Sequence, residues 1–341
     1  MKENRHIDDV QPATVDEHIK LIHDDRSVHD EEFVKVTPDD LPDWFDERLF
    51  KIGQAAYMDN ILGFGVANLT GLIAILSVPG IAEMLVFTRR SSTVSLSFRR
   101  YMETLLLIYE LFKSDMLKAD SKWFQAINVI RWKHALATKS HIERGGSGIY
   151  IKDMAITQFG FIGYALTCSD KVGLSHCTLE QREGFNYFWR VTARMLGISD
   201  RLNICRKTVA ETTELCRRIA GEIIKKHLKD PLPESEQLAS YAVQSLWYID
   251  PTYDEDAITA LMMDMTGIKY KKQLGWYSKL NMKLREWNSY LHSAPYIGIL
   301  VRTISNRILK MLYWLGENYP ILARIAFGKQ KSSFCPYPKI E

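Results

Sequence analysis

Apolar residues recur three and four positions apart through nearly every segment from Leu41 onward, the period of helices that bury one face. FRRYMETLLLIYELFK (98–113) predicts one strong helix, and the same period returns over 121–143. GGSG at 145–148 breaks it, and Asp153 reads as the cap of a further apolar helix, MAITQFGFIGYAL. Thr178 with Gln181 forms a capping box for a helix through Met195 that Gly197 ends. Thr208 with Glu211 repeats the box for 209–228, and helices also fit 234–249, 254–266 and 276–292. Alternating β runs are scarce. The pattern predicts an all-α fold, a single large helical domain.

The two ends break the pattern. Residues 1–40, rich in Asp, His and Glu with little period, read as a flexible or loosely docked lead-in to a helical body over 41–292. Segment 293–328 is apolar but carries Arg302, Arg307, Lys310 and Arg324 beside Tyr313 and Trp314. It reads as helices packed on the body or on a membrane surface, the periodicity favouring the body, with 329–341 as a tail. The uncharged run Ile61–Ala82 is just long enough to span a bilayer, but Pro79, Asn68 and its glycines favour two buried helical pieces.

The 121–143 helix holds an anomaly. At about 100° per residue, Trp123, Phe124, Ile127, Ile130, Ala135 and Ile142 make an apolar face. Arg131, His134, Thr138 and His141 fall within that face instead of opposite it. Neighbouring carboxylates and carbonyls account for any one of them, yet four on one stripe point to a site, because unpaired buried polar groups are costly. A neutral imidazole in an apolar bundle is a usual way to hold a metal or a haem iron. His134 and His141 are two turns apart, about 10 Å, so one ordinary metal does not take both. A single axial histidine fits better, leaving His141 as a hydrogen-bonded core or pocket-edge residue.

Upstream, Arg100 and Thr104 lie at i, i+4 in line with Leu107 and Leu111. An Arg fork there suits a propionate or another buried anion, and equally a structural carboxylate. Glu103 shares an edge with Arg99 and Glu110 and reads as a solvated helix side. Gly160 and Gly163 let a flat cofactor or, more commonly, another helix come close.

Composition removes several classes of function. A net charge of +3 is too small for nucleic-acid binding. Five cysteines without a CxxC pair argue against a disulfide framework or structural zinc and suit reduced thiols in an intracellular compartment. MKENRHIDDVQPATVDEH lacks the apolar core of a signal peptide. GFGVANLTG is not a phosphate-binding GxGxxG, and GxSxG, HExxH and Walker patterns are absent. His6, His18, His23 and His29 have no spacing of a closed metal site, and His176 reads as a surface residue.

The order of motifs resembles the rubber-oxygenase (latex-clearing protein) catalytic domain, shared with endoplasmic-reticulum-bound mpaB-type oxygenases. RRxxxT appears as Arg99, Arg100 and Thr104, and RxxH follows as Arg131 to His134. GIYIKDMAITQFGF and FWRVTARMLGI complete a similarity over roughly residues 45–225, closest in form to the eukaryotic branch rather than the secreted bacterial one. The resemblance implies a globin-like helical core holding haem b with His134 as the proximal iron ligand. It places Arg100, Thr104 and Arg131 by the haem, Thr138 beside them, and a catalytic carboxylate near Glu83. The family's distal lysine falls on Glu103 and is not carried over. The implied activity is dioxygen-dependent cleavage or related oxidation of an apolar, unsaturated chain, isoprenoid in the family. Two alternatives keep less: a non-catalytic haem or lipid carrier, and a membrane-surface interaction protein. The expected setting is cytoplasmic or peripheral to a membrane such as the endoplasmic reticulum, and the oligomeric state stays open.

Overall fold

The computed structural model describes residues 6–340, and among these it contains no strand, only an isolated bridge between Val28 and Tyr150. Two N-terminal helices, α1 (Ile7–Val10) and α2 (Val15–Asp24), precede α3 (Glu47–Asp59), α4 (Ile61–Ile75), α5 (Pro79–Thr88) and α6 (Val94–Lys113). Next come α7 (Lys122–Glu143), α8 (Ile151–Thr167) and α9 (Leu179–Met195). A π turn at Ile219–Ile224 joins α10 (Val209–Arg218) to α11 (Lys225–Lys229), so the expected 209–228 helix is one rod with a bulge. The chain ends in α12 (Pro233–Leu246), α13 (Glu255–Met265), α14 (Trp276–Ser293), α15 (Ile297–Asn318), α16 (Ile321–Phe327) and α17 (Lys329–Ser332). The result is a single helical domain.

Local sequence sets most helix ends. The capping boxes of Thr178 with Gln181 and Thr208 with Glu211 both form, and Gly197 stops α9 at a φ of +97° that disfavours a side chain. Asp153 is not a cap. Tyr150 takes the N-cap position of α8, and the Asp153 carboxyl in the first turn points into the interior.

Two glycine crossings hold the centre together. A Cβ on Gly53 of α3 would collide with the Gly184 carbonyl of α9, and one on Gly71 of α4 with the Gly160 carbonyl of α8. Backbones in such contact bring long apolar faces together, and Phe50, Phe112, Phe185, Phe188 and Trp189 fill the space around the first crossing. The apolar run at 61–82 is indeed two helical pieces, α4 and the start of α5, broken before Pro79, and α4 is mostly buried. Among the described residues no single helix is long and apolar enough to cross a membrane.

The N-terminal segment is docked, against the expectation of a loose lead-in. His18, Ile19 and Ile22 of α2 are buried, and Arg206 donates to the carbonyls of Pro12 (3.0 Å) and Ala13 (3.1 Å). Its acidic residues pair with cations of the body: Asp8 with Arg190, Asp25 with Arg201, Asp16 with Arg218. The tail is likewise tied down, with Phe334 edge-on to Phe98 and Lys122 over the Tyr337 ring.

Candidate functional site

A cavity of about 1050 Å³ lies between α5, α6, α7 and α8. Trp189 of α9 and Cys335 and Pro338 of the tail add to its wall. The volume is at the upper end of the ~300–1,000 Å³ of ligand cavities. Its apolar lining comes from α4, α5 and α6 through residues such as Leu72, Ile75, Met84 and Leu107.

His134 lines this cavity. Its Nδ1 is buried with no hydrogen-bond partner, and neither ring nitrogen is hydrogen-bonded among the described residues. Burial, and then the charges of His29, Arg100, Arg131 and Lys133, bring its pKa down to about 3. The ring is therefore neutral across the physiological range, with an unshared acceptor lone pair. His29 packs edge-on against it, ring centroids 5.9 Å apart, and Nδ1 of His29 lies 2.9 Å from the Asp30 carbonyl. Sequence reasoning did not connect His29 with His134. One is in a segment without periodicity and the other 105 positions on, so no local signal links them.

The inward stripe divides into two pairs. Arg131 and Thr138 are about 20° apart around the helix, while His134 and His141 are displaced from Arg131 by about 60–80°. The histidines line the cavity; Arg131 and Thr138 do not. Arg131 donates to the carbonyls of Val34 (3.2 Å) and Met195 (3.1 Å), tying the N-terminal segment to the end of α9. Thr138 is fully buried and accepts from the Ile149 amide. Both hold backbone, away from the position expected of them beside a cofactor. His141 behaves as anticipated for a pocket-edge residue. Its Nδ1 accepts from the Gly148 amide at 3.2 Å, and the ring packs on Phe87, centroids 4.6 Å apart.

On α6, Arg100 and Thr104 both face the cavity. The one side-chain hydrogen bond of Arg100 among the described residues goes to the Ser91 hydroxyl, at 3.5 Å, and no carboxylate forms an ion pair with it there. Burial lowers its pKa from the ordinary guanidinium value. Thr104 bonds back to the Arg100 carbonyl at 3.0 Å. Glu103 is not a solvated edge: it is 7% exposed and clamps Arg90 (2.6 Å) and Lys133 (2.9 Å). The ion pair with Lys133 joins α6 to α7 at the cavity wall, a tertiary pairing that a helical wheel of α6 alone does not show.

Opposite chemistry gathers at α5 and α8. Glu83 is exposed, with Oε1 4.0 Å from His141 Nε2, and both line the cavity. Asp153 lines it too, and burial pushes its carboxyl up to about 6. Gly80 makes room for it, because a Cβ there would strike the Asp153 carboxylate. Asp153 was legible only as a helix-start residue, since a first-turn Asp is common for dipole reasons alone. Gly160 and Gly163 are absent from the lining: Gly160 meets Gly71 of α4 and packs two helices, whereas Gly163 leaves room for the Phe159 ring of its own helix.

One other histidine reading changes. His176 is half-buried, its Nε2 2.8 Å from the Asn60 side chain at the α3–α4 corner. The N-terminal histidines do not converge on a metal, and no group of three or more His, Cys, Asp or Glu that could hold one occurs among the described residues. The cavity thus offers the hydrogen-bond-free imidazole of His134, the guanidiniums of Arg89, Arg99, Arg100 and Arg144 with no carboxylate ion pair among the described residues, the carboxyls of Glu83 and Asp153, and long apolar walls. That donor set suits a large, largely apolar ligand that brings its own anionic groups. In comparisons with protein families, curated proteins and solved structures, nothing matches this chain.

Proposed function

We propose that the cavity binds haem b and that the protein is an oxygenase acting on an apolar, unsaturated chain, isoprenoid or similar. The observation that carries this reading is the neutral, hydrogen-bond-free His134 imidazole on the wall of a 1050 Å³ cavity that also receives Arg100. His134 would hold the iron, and the Arg100 fork would hold a propionate. Bound there, haem supplies dioxygen chemistry that side chains cannot.

The chain's own residues supply the rest. Burial keeps the His134 ring neutral, so it would hold iron without first losing a proton to water. Arg100 meets an anionic substituent at no cost in broken ion pairs, because Glu103 already occupies Arg90 and Lys133. Apolar walls from Leu72, Ile75 and Met84 exclude water and align a chain substrate. Asp153, protonated below about pH 6, can hold a proton at its carboxyl on the same wall, and Glu83 faces His141 beside it.

The carrier reading draws support from Glu103. Where the resembled family has a free distal lysine, this chain has a carboxylate locked to Lys133. Purification from haem-supplied cells tests the binding step: a Soret band is expected, and His134→Ala is expected to abolish it. Full haem retention in that variant would overturn the axial assignment. Incubation with oxygen and unsaturated chains of graded length then separates oxygenase from carrier by the appearance of carbonyl products.

A further inference from the structure

The last helices carry their polarity reversed. The buried residues of α14 are Ser278, Asn281, Ser289 and His292, all polar, while Trp276 is 79% exposed and Trp287 70%. Leu280 and Leu284 complete an outward stripe at i, i+4, i+8 and i+11. The neighbouring α15 repeats this: Ile297, Leu300, Ile304, Ile308 and Met311 are exposed at helical spacing, whereas Gly298, Asn306 and Gly316 are buried along with Leu309 and Tyr313.

The inward polar groups fix this orientation. Asn306 Oδ1 accepts from the Ile61 amide at 3.0 Å, and its Nδ2 donates to the Asp59 carbonyl at 2.7 Å. Ser289 donates to the Asp170 carbonyl, and His292 Nε2 lies 3.1 Å from the Ser305 hydroxyl. Turning either apolar stripe inward would break these bonds and leave the polar groups buried without partners. The apolar face is locked outward.

Charge follows the same face. Residues 276–331 hold nine Lys or Arg against two Glu, although the whole chain is only +3, so the remainder is net acidic. Lys279, Lys283, Arg307 and Lys310 are exposed and have no acidic partner among the described residues. Tryptophan and tyrosine among leucine and isoleucine, edged by long basic side chains, is the composition of a helix lying at a lipid–water boundary. The aromatic rings prefer the headgroup level, and lysine stems run along apolar surface while the ammonium reaches phosphate.

We propose that the outward face of α14, α15 and α16 docks on an anionic lipid bilayer, with the helices lying in the interfacial plane. A second copy of the chain fits less well, since it would set one strongly basic face against another. Protein partners generally meet surfaces depleted in lysine, unlike this one. The face extends into α16, where Ile321 and Ile325 are 60% and 78% exposed. From α16 the chain runs directly through α17 to Cys335 and Pro338 in the cavity wall. The proposal does not rest on haem binding.

The test is flotation of the full chain with vesicles of phosphatidylcholine alone and of phosphatidylcholine mixed with phosphatidylserine, followed by tryptophan emission. The protein is expected to float with the mixed vesicles at low salt, with a blue-shifted emission, and to be released by high salt. Trp287→Ser with Ile304→Ser is expected to weaken retention by about tenfold or more, since it removes two large apolar anchors. Lys283→Glu with Arg307→Glu should weaken it comparably on anionic vesicles only. Circular dichroism of both variants must match the parent, and either pair suffices if the other fails to fold. Absence from the mixed vesicles, or retention unchanged by both pairs, overturns the proposal. So does a stable dimer that the apolar pair dissociates while vesicles capture neither form, which assigns the face to a second copy.

Discussion

The cavity region and the C-terminal helices both reverse the ordinary amphipathic rule, in different ways and with different consequences. On α7, histidines enter an otherwise apolar face, and the neighbouring helices stand back from them to leave 1050 Å³. On α14 and α15, small polar residues enter the interior, and the large apolar ones face outward. The difference lies in partners. Inward polar groups of α15 are satisfied by backbone at the α3–α4 corner, so that side is purely structural. The nitrogens of His134 have no hydrogen-bond partner among the described residues. What sets His134 apart is that both ring nitrogens are unspent beside a cavity, since His18 and His176 each leave one nitrogen unpaired elsewhere in the fold; the satisfied groups of α15 act as anchors.

That contrast can be broken by titration, where the largest effect is expected. His134, with a folded pKa of about 3 against an ordinary 6.5, contributes stability that is fully present above 6.5 and is lost as pH falls toward 3. His18, lowered to about 4 chiefly by burial, acts in the same direction. Each histidine adds a slope of about 1.4 kcal/mol per pH unit in its window. In haem-free protein, urea midpoints at pH 6.5 and 4 should therefore show His134→Leu relieved of about 3 kcal/mol of acid destabilisation. An unchanged acid slope would mean that His134 is not desolvated, and the cavity reading would lose its basis.

Asp153 gives a smaller effect of opposite sign. Its folded pKa of about 6 lies above the ordinary 3.8, so its contribution is fully present below about 3.8 and is lost as pH rises through 6. Asp153→Asn should gain on the order of 2 kcal/mol at pH 8, a gain that shrinks toward pH 4. Thermal melts at the two pH values check it.

The smallest effect sharpens the other half of the comparison. Trp287→Ser alone should change stability by no more than about 0.5 kcal/mol, because the ring is already in water in the free protein. A loss of several kcal/mol would show that the outward stripe is covered within the molecule. Urea denaturation reads this directly.

Much of the frame was legible in the chain. The boxes at Thr178 and Thr208, the stop at Gly197 and the helical period of α6 and α7 depend on neighbours within four residues, so local sequence contains their cause. The inward placement of His134 and Arg100 follows from the same angular arithmetic. Partners are another matter. Glu103 looked solvated because Lys133 and Arg90 reach it from other segments, and His29 looked idle because His134 lies on another helix.

The outward face of α15 marks the limit of periodicity. Period alone says that a helix has an apolar side; it does not say which side turns inward. The sequence by itself determined the helices, their ends and which polar residues share a face with apolar ones, because those depend on 3.6-residue geometry and nearby hydrogen bonds. Only the tertiary structure decided which side of α14 and α15 is buried, that Arg131 and Thr138 hold backbone, and that His134 and Arg100 meet one cavity. Burial and long-range pairing are properties of the packed chain, set by contacts between residues that the sequence keeps far apart.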